Sequence, residues 1–203
     1  MKFNLEDYPL LKDLDGIKKN HHSILIYDNE NYAKLVKYYF IQIGLEKGEN
    51  SIILTHGDVN SIENEAKSFG IEVGKFKRKK LFHIHKIKNL TDNKKDIIQE
   101  YKNLIQQVTN GLNSPFRITG RIIPDVSTHL GIDAELKIEC NIHSEFDNCD
   151  CSFLCTYAVN DVEIKKRSVW LSKLFESHHH LFYATDHENS VSFDPNLLKA
   201  FSD

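Results

Sequence analysis

Histidine and cysteine are the side chains best suited to holding a metal or making a nucleophile, and this chain has eleven of one and four of the other. His83 and His85 lie on one face of a strand pattern, His178, His179 and His180 are consecutive, and Cys149 and Cys151 stand two apart. Zinc sites need about four ligands, usually spaced C-x₂₋₄-C or H-x₃₋₅-H. C-x-C misses that spacing, and His83 with His85 supplies two ligands with no partner that spacing can name. The pattern predicts solvated or core-edge histidines, no metal and no cofactor. A metal-binding protein or enzyme using His83/His85 and Cys149/Cys151 is the alternative.

Cys155, within FLCTY, falls in an apolar strand where a thiol is inert packing. No nucleophile–base pair stands out, so no catalytic residue is assigned and the chain is not expected to be an enzyme. Glu139 is the odd residue. A carboxylate on an apolar helix face must be paired, hydrated or ligand-facing, and Arg117 is its expected partner. KFKRKK holds five basic residues in six, which reads as a solvated turn. With a formal net charge of −3 and no recognisable DNA-binding helix pair, no direct nucleic-acid contact is expected.

These residues need a frame. His22–Leu45 reads as a buried strand (Ser23–Tyr27), a polar turn with Asp28 or Asn29 as cap, and an amphipathic helix. The helix face is Tyr32, Leu35, Val36, Tyr39, Phe40 and Ile43, and Gly44 is expected to end it. Further strands are predicted at Ser51–Thr55, within LFHIHKI, and at Phe116–Ile123, Phe153–Ala158 and Leu181–Ala184. Helices are predicted around Val59–Phe69, from an Asp92 cap through Val108, from about residue 130, over Val169–Ser177, and as a turn at Asp194–Phe201. The alternation predicts an α/β fold, three-layered, with a mainly parallel central sheet and helices on both faces. Residues 1–20 read as a leader and 21–203 as a single domain.

In such a fold the first strand–turn–helix is where phosphate binds, through glycine-rich backbone and a lysine. YDNEN has no glycine, and Asp28 and Glu30 would repel the anion; no G-x-x-x-x-G-K-[ST] or G-x-G-x-x-G occurs. Ligands of open sheets bind beyond the carboxyl ends of the strands. Tyr27, Asp28, Thr55, His56, Gly120, Arg121 and Tyr157 are expected there, around a small organic ligand in a mostly apolar pocket. No run of about 18 apolar residues predicts a membrane span, and no signal peptide is evident. A cytoplasmic location is expected, with all four cysteines as thiols.

The order of HSILIYD, GLEKGENSIILT, FRITGRI, Glu139, FLCTYAV and His178 resembles the MEDS domain, the methanogen/methylotroph sensory domain of the dichloromethane-responsive repressor. The likeness runs over roughly residues 20 to 185. It implies a RecA/KaiC-like fold without the phosphate loop, and a sensory role toward small molecules such as hydrocarbon derivatives. The family-like positions are His22, Tyr27, Arg117, Gly120, Glu139, Cys155, Tyr157 and His178. Arg121 stands where the family has an acidic residue, and His178-His179 where it has His-Pro. The ligand-binding set is therefore expected to be His22, Tyr27, Asp28, His56, Arg117, Glu139, Cys155, Tyr157 and His178. Expected partners are a small-molecule ligand or a signalling partner protein, with homo-oligomers a further option. Without an attached output domain the chain is expected to act alone or through that partner. Residual KaiC-like nucleotide binding is the remaining alternative.

Overall fold

The computed structural model describes residues 7–17, 20–92, 96–159 and 167–195. The elements run α1 (Pro9–Gly16), β1 (His22–Tyr27), α2 (Glu30–Lys47), β2 (Asn50–Thr55), α3 (Val59–Ser68), α4 (Val73–Arg78), β3 (Phe82–Lys86), α5 (Ile97–Thr109), β4 (Phe116–Thr119), α6 (His129–Glu145), β5 (Cys151–Ala158), α7 (Arg167–Glu176), β6 (His180–Ala184) and β7 (Val191–Phe193). The sheet order is β3-β2-β4-β5-β1-β6-β7. Every pairing is parallel except that of β6 with β7. The predicted α/β architecture, a mainly parallel sheet between two helical layers, is what forms. Among the described residues no helix is long and apolar enough to cross a membrane.

Two-residue periodicity divides the strands between two cores. Ile24, Ile26, Ile52, Ile118, Phe153, Cys155 and Tyr157 face α5, α6 and α7, while Leu25, Ile53, Leu154 and Phe182 face α1 and α2. β1 lies between β5 and β6, with His22 level with Phe153 and Ile26 with Tyr157.

Several boundaries differ from expectation. α2 does not stop at Gly44 but continues to Lys47, where Gly48 caps it with φ +79°. Gly44 serves packing instead: a Cβ there would sit 2.7 Å from Arg117 Cδ. α2 is also buried on more than its predicted stripe, including Ala33, Tyr38, Ile41 and Leu45, because Leu10, Leu11 and Leu14 of the expected leader form α1 and join the same core. Lys75, Lys77 and Arg78 of KFKRKK sit in the last turn of α4, where cations suit the carbonyl end of a helix. Asp96, not Asp92, caps α5. β4 ends at Thr119 because Gly120, at φ +143°, brings the chain so close that a Cβ would lie 2.4 Å from Leu54 O. β7 is three residues long, too short to show a period. The predicted turn at Asp194–Phe201 lies mostly outside the described residues.

Candidate functional site

Two periodicities meet in the gap between β5 and α6. On β5, Cys155 and Tyr157 are two apart and share the face toward α6. On α6, Glu135 and Glu139 are four apart and share the face toward β5. α6 is started by Thr128, whose hydroxyl accepts the Gly131 N–H at 3.1 Å. His22, the first residue of β1, enters from the adjacent strand. His178 enters from the end of α7, where its Nδ1–H donates to Leu174 O at 2.6 Å. His22, Glu135, Glu139, Cys155, Tyr157 and His178 are all at most 7% exposed.

The distances are those of one constellation. Glu139 Oε2 lies 2.9 Å from His22 Nε2 and 3.5 Å from both His178 Nε2 and Cys155 Sγ. Cys155 Sγ is also 3.5 Å from His22 Nε2, and the two imidazole centroids are 3.9 Å apart. The other oxygen of Glu139 accepts from the Tyr157 hydroxyl. Tyr157 also lies 2.6 Å from Glu135 Oε1, and Ile123 N–H donates to Glu135 Oε2 at 3.2 Å.

Tyr157 has one proton for two carboxylates, so the glutamates cannot ionise alike. Burial, and then the charge on Glu139, push Glu135 up to about 8, which keeps it protonated and able to donate to the phenol. Burial also opposes ionisation of Glu139, but His178, His22 and Tyr157 outweigh it and hold the carboxyl below the usual range. Burial pushes His178 down to about 3, leaving a neutral ring. Burial, then Glu139 and Glu135, push the Cys155 thiol up.

Five of the nine predicted ligand residues therefore meet: His22, Glu139, Cys155, Tyr157 and His178. The other four are elsewhere. Tyr27 belongs to the opposite core face. Asp28 accepts from Tyr183 in an exposed contact of 3.2 Å. His56 Nε2–H is shared between Arg121 O and Ile122 O, both at 3.2 Å. Arg117 is not the partner of Glu139: its neighbour Ile118 faces α6, so Arg117 faces α2. There it donates from Nε to Glu49 at 2.7 Å, with its guanidinium 4.7 Å from the Phe40 ring centroid. The sequence reading also missed Glu135, although its position one helical turn before Glu139 was the available signal.

The alternative metal residues do not converge. His83 Nε2–H points to Asn50 Oδ1 and Lys80 O. Cys149 and Cys151, expected as thiols, are joined as a disulfide with their Cα atoms 5.3 Å apart, a separation that such a bridge accommodates. The site also departs from the expected sheet edge, since His22 and His178 stand at the amino ends of β1 and β6.

Tyr157 reaches toward that carboxyl edge. There a cavity of about 370 Å³ is lined by Ile26, Tyr157, Trp170, Leu171, Leu181 and Phe193 among others, none of them charged. The Arg121 guanidinium lies 5.5 Å from the Tyr157 ring centroid. The indole N–H of buried Trp170 has no hydrogen-bond partner among the described residues. At the turn after β1, Asn29 Oδ1 itself accepts the Tyr32 N–H at 3.1 Å, so the start of α2 is capped by its own chain and not left bare for phosphate.

Known proteins supply the context for this geometry. A KaiC-like protein from the hyperthermophilic archaeon Pyrococcus horikoshii OT3 has a similar structure, with a TM-score of 0.63 over 88% of this chain and 80% of that one, at 12% identity; the likeness is one of fold. A search of curated proteins finds no match. The family described as the MEthanogen/methylotroph, DcmR Sensory domain matches residues 21–166, a span that holds His22, both glutamates, Cys155 and Tyr157. The chain belongs to the MEDS family of sensory domains.

Proposed function

We propose that this chain is a non-enzymatic sensory domain that binds a small, largely apolar organic molecule in the cavity beside Tyr157, and that a signalling partner protein reads the occupied state. The cavity carries the proposal. It is large enough for a small ligand, its described lining is uncharged, and Trp170 contributes a buried donor with no partner among the described residues. Apolar walls with few polar groups suit a small organic ligand better than a nucleotide. Membership of a sensory family agrees with this reading, as does the resemblance of its motifs to a repressor that answers a halocarbon.

Trp170 is the only tryptophan in the chain, so its fluorescence reports the cavity directly. The experiment titrates haloalkanes, short alcohols and ketones against the protein, following Trp170 emission and thermal stability, with magnesium ATP as comparison. One class should shift the emission and raise the melting temperature. Free ligand at about 100 times its Kd adds about 2.7 kcal/mol of stability. Leu171→Phe, which narrows the cavity, should weaken that response. Stabilisation by magnesium ATP with no response to any organic molecule would refute the proposal.

A further inference from the structure

We infer that His22, Glu139, Cys155 and His178 form a closed binding site for one divalent transition-metal ion of the zinc class. This goes beyond the cavity reading and does not depend on it, because the four groups lie inside the β5–α6 gap and not in the cavity wall.

The geometry suits a tetrahedral ion. The four candidate ligand atoms lie within 4.8 Å of one another, and the pairs described above are 2.9 to 3.5 Å apart. Zinc bonds of about 2.0–2.3 Å to N, O and S, arranged tetrahedrally, place neighbouring ligands about 3.3–3.8 Å apart. His22 and Glu139 must move slightly apart, and the widest pair, at up to 4.8 Å, must close by about 1 Å.

A hydrogen-bond network is the competing account, and it gives the buried His178 Nε2 no partner among the described residues. His178 commits its Nδ1–H to Leu174 O, so Nε2 is the ring nitrogen turned toward the constellation. That Nε2 has no hydrogen-bond partner among the described residues and is buried. It faces Glu139 Oε2 at 3.5 Å, at the outer edge of hydrogen-bond reach. A cation between them would bond to both atoms and give the buried Nε2 a partner. His22 Nδ1, likewise without a hydrogen-bond partner among the described residues, does not separate the accounts.

Charge and chemistry agree with a divalent ion. Cys155 as thiolate and Glu139 as carboxylate together balance two positive charges, so the buried site becomes neutral. Binding releases the Cys155 proton to solvent. Two imidazoles, one thiolate and one carboxylate are a borderline donor set suited to Zn²⁺, Co²⁺ or Fe²⁺ rather than Mg²⁺ or Ca²⁺. Four protein ligands fill the tetrahedron, as in structural sites. Leu174 O orients His178, and Tyr157 holds the second oxygen of Glu139, the outer contacts that metal ligands ordinarily have.

Protein made without an affinity tag should retain about one zinc-class ion per chain after dialysis. Chelated protein titrated with Co²⁺ should show the visible bands of four-coordinate cobalt and a near-ultraviolet thiolate-to-cobalt band. The titration is repeated in Cys140→Ser/Cys149→Ser/Cys151→Ser protein, where Cys155 is the only thiol. Cys155→Ser should abolish the thiolate band, and His178→Gln should weaken Co²⁺ binding by more than about tenfold. Tyr157→Phe should weaken it by about 10–100-fold while keeping the thiolate band, as expected of a positioning residue. His83→Gln/His85→Gln should leave binding unchanged. If the ligand variants do not fold, the chain with Cys155 alone still decides. Absence of a thiolate-to-cobalt band there, or cobalt binding that survives in Cys155→Ser/His178→Gln and disappears in His83→Gln/His85→Gln, overturns the inference.

Discussion

Tyr157 and Glu139 meet across the gap between β5 and α6, and the meeting joins two sites. The phenol donates to one oxygen of Glu139, while the other oxygen faces His22 and His178. The ring of the same tyrosine forms part of the cavity wall. Replacing it by phenylalanine keeps the wall but removes a donor from a buried carboxylate. Tyr157→Phe should lower the unfolding free energy by about 1.5–3 kcal/mol in urea, the range for a hydrogen bond to a charged group. Tyr183→Phe, which loses only the exposed bond to Asp28, should stay within about 0.5 kcal/mol of the parent.

Glu135 makes the stability depend on pH. Its folded-state carboxyl is pushed up to about 8 by burial and by Glu139, far above an unfolded glutamate. Between those two values the folded chain binds more protons at this position than the unfolded chain. The contribution is fully present below the unfolded pKa and is lost as pH rises through about 8. Each proton bound in excess gives a slope of about 1.4 kcal/mol per pH unit. Glu135→Gln mimics the protonated acid. Urea unfolding at several pH values between 5 and 8 should show a flatter profile for the variant than for the parent, and near-parental stability at the acid end.

The part of this arrangement legible in the chain was the local part. FLCTYA alternates, so Cys155 and Tyr157 had to share a face, and Glu139 stood out on an apolar helix. The family-like motifs named five of the residues that meet. What periodicity cannot supply is register between distant elements. His22 precedes His178 by most of the chain, and the parallel placement of β6 beside β1 brings their rings to 3.9 Å between centroids. Arg117 shows the same limit from the other side. Its strand was predicted, but which face it took depended on β4 pairing between β2 and β5. The preference for the carboxyl edge of an open sheet also misplaced the polar site, because it describes ligands in a crevice and these groups are buried beneath a helix.

Gly44 reverses an ordinary propensity. In an exposed helix interior, glycine to alanine gains about 1 kcal/mol. Here the added Cβ would sit 2.7 Å from both Arg117 Cδ and Ser51 Oγ. Arg117 cannot swing away, because Glu49 holds its guanidinium. Gly44→Ala should therefore destabilise, by about 1–3 kcal/mol as in other overpacked cores, measured as a fall in the urea midpoint at unchanged slope.

Arg117 tests whether a family-like position is part of the site or part of the frame. It is buried with Glu49 on the α2 side of the sheet, away from Tyr157 and the cavity. Removing one member of a buried ion pair leaves the other charge uncompensated and costs about 3–5 kcal/mol. Arg117→Met should show a loss of that size, and adding Glu49→Gln should recover part of it by removing the stranded carboxylate. At a temperature where the double variant is folded, its Trp170 fluorescence response to cavity ligands and its Co²⁺ titration should match the parent. A changed ligand affinity with folding intact would place Arg117 back among the binding residues.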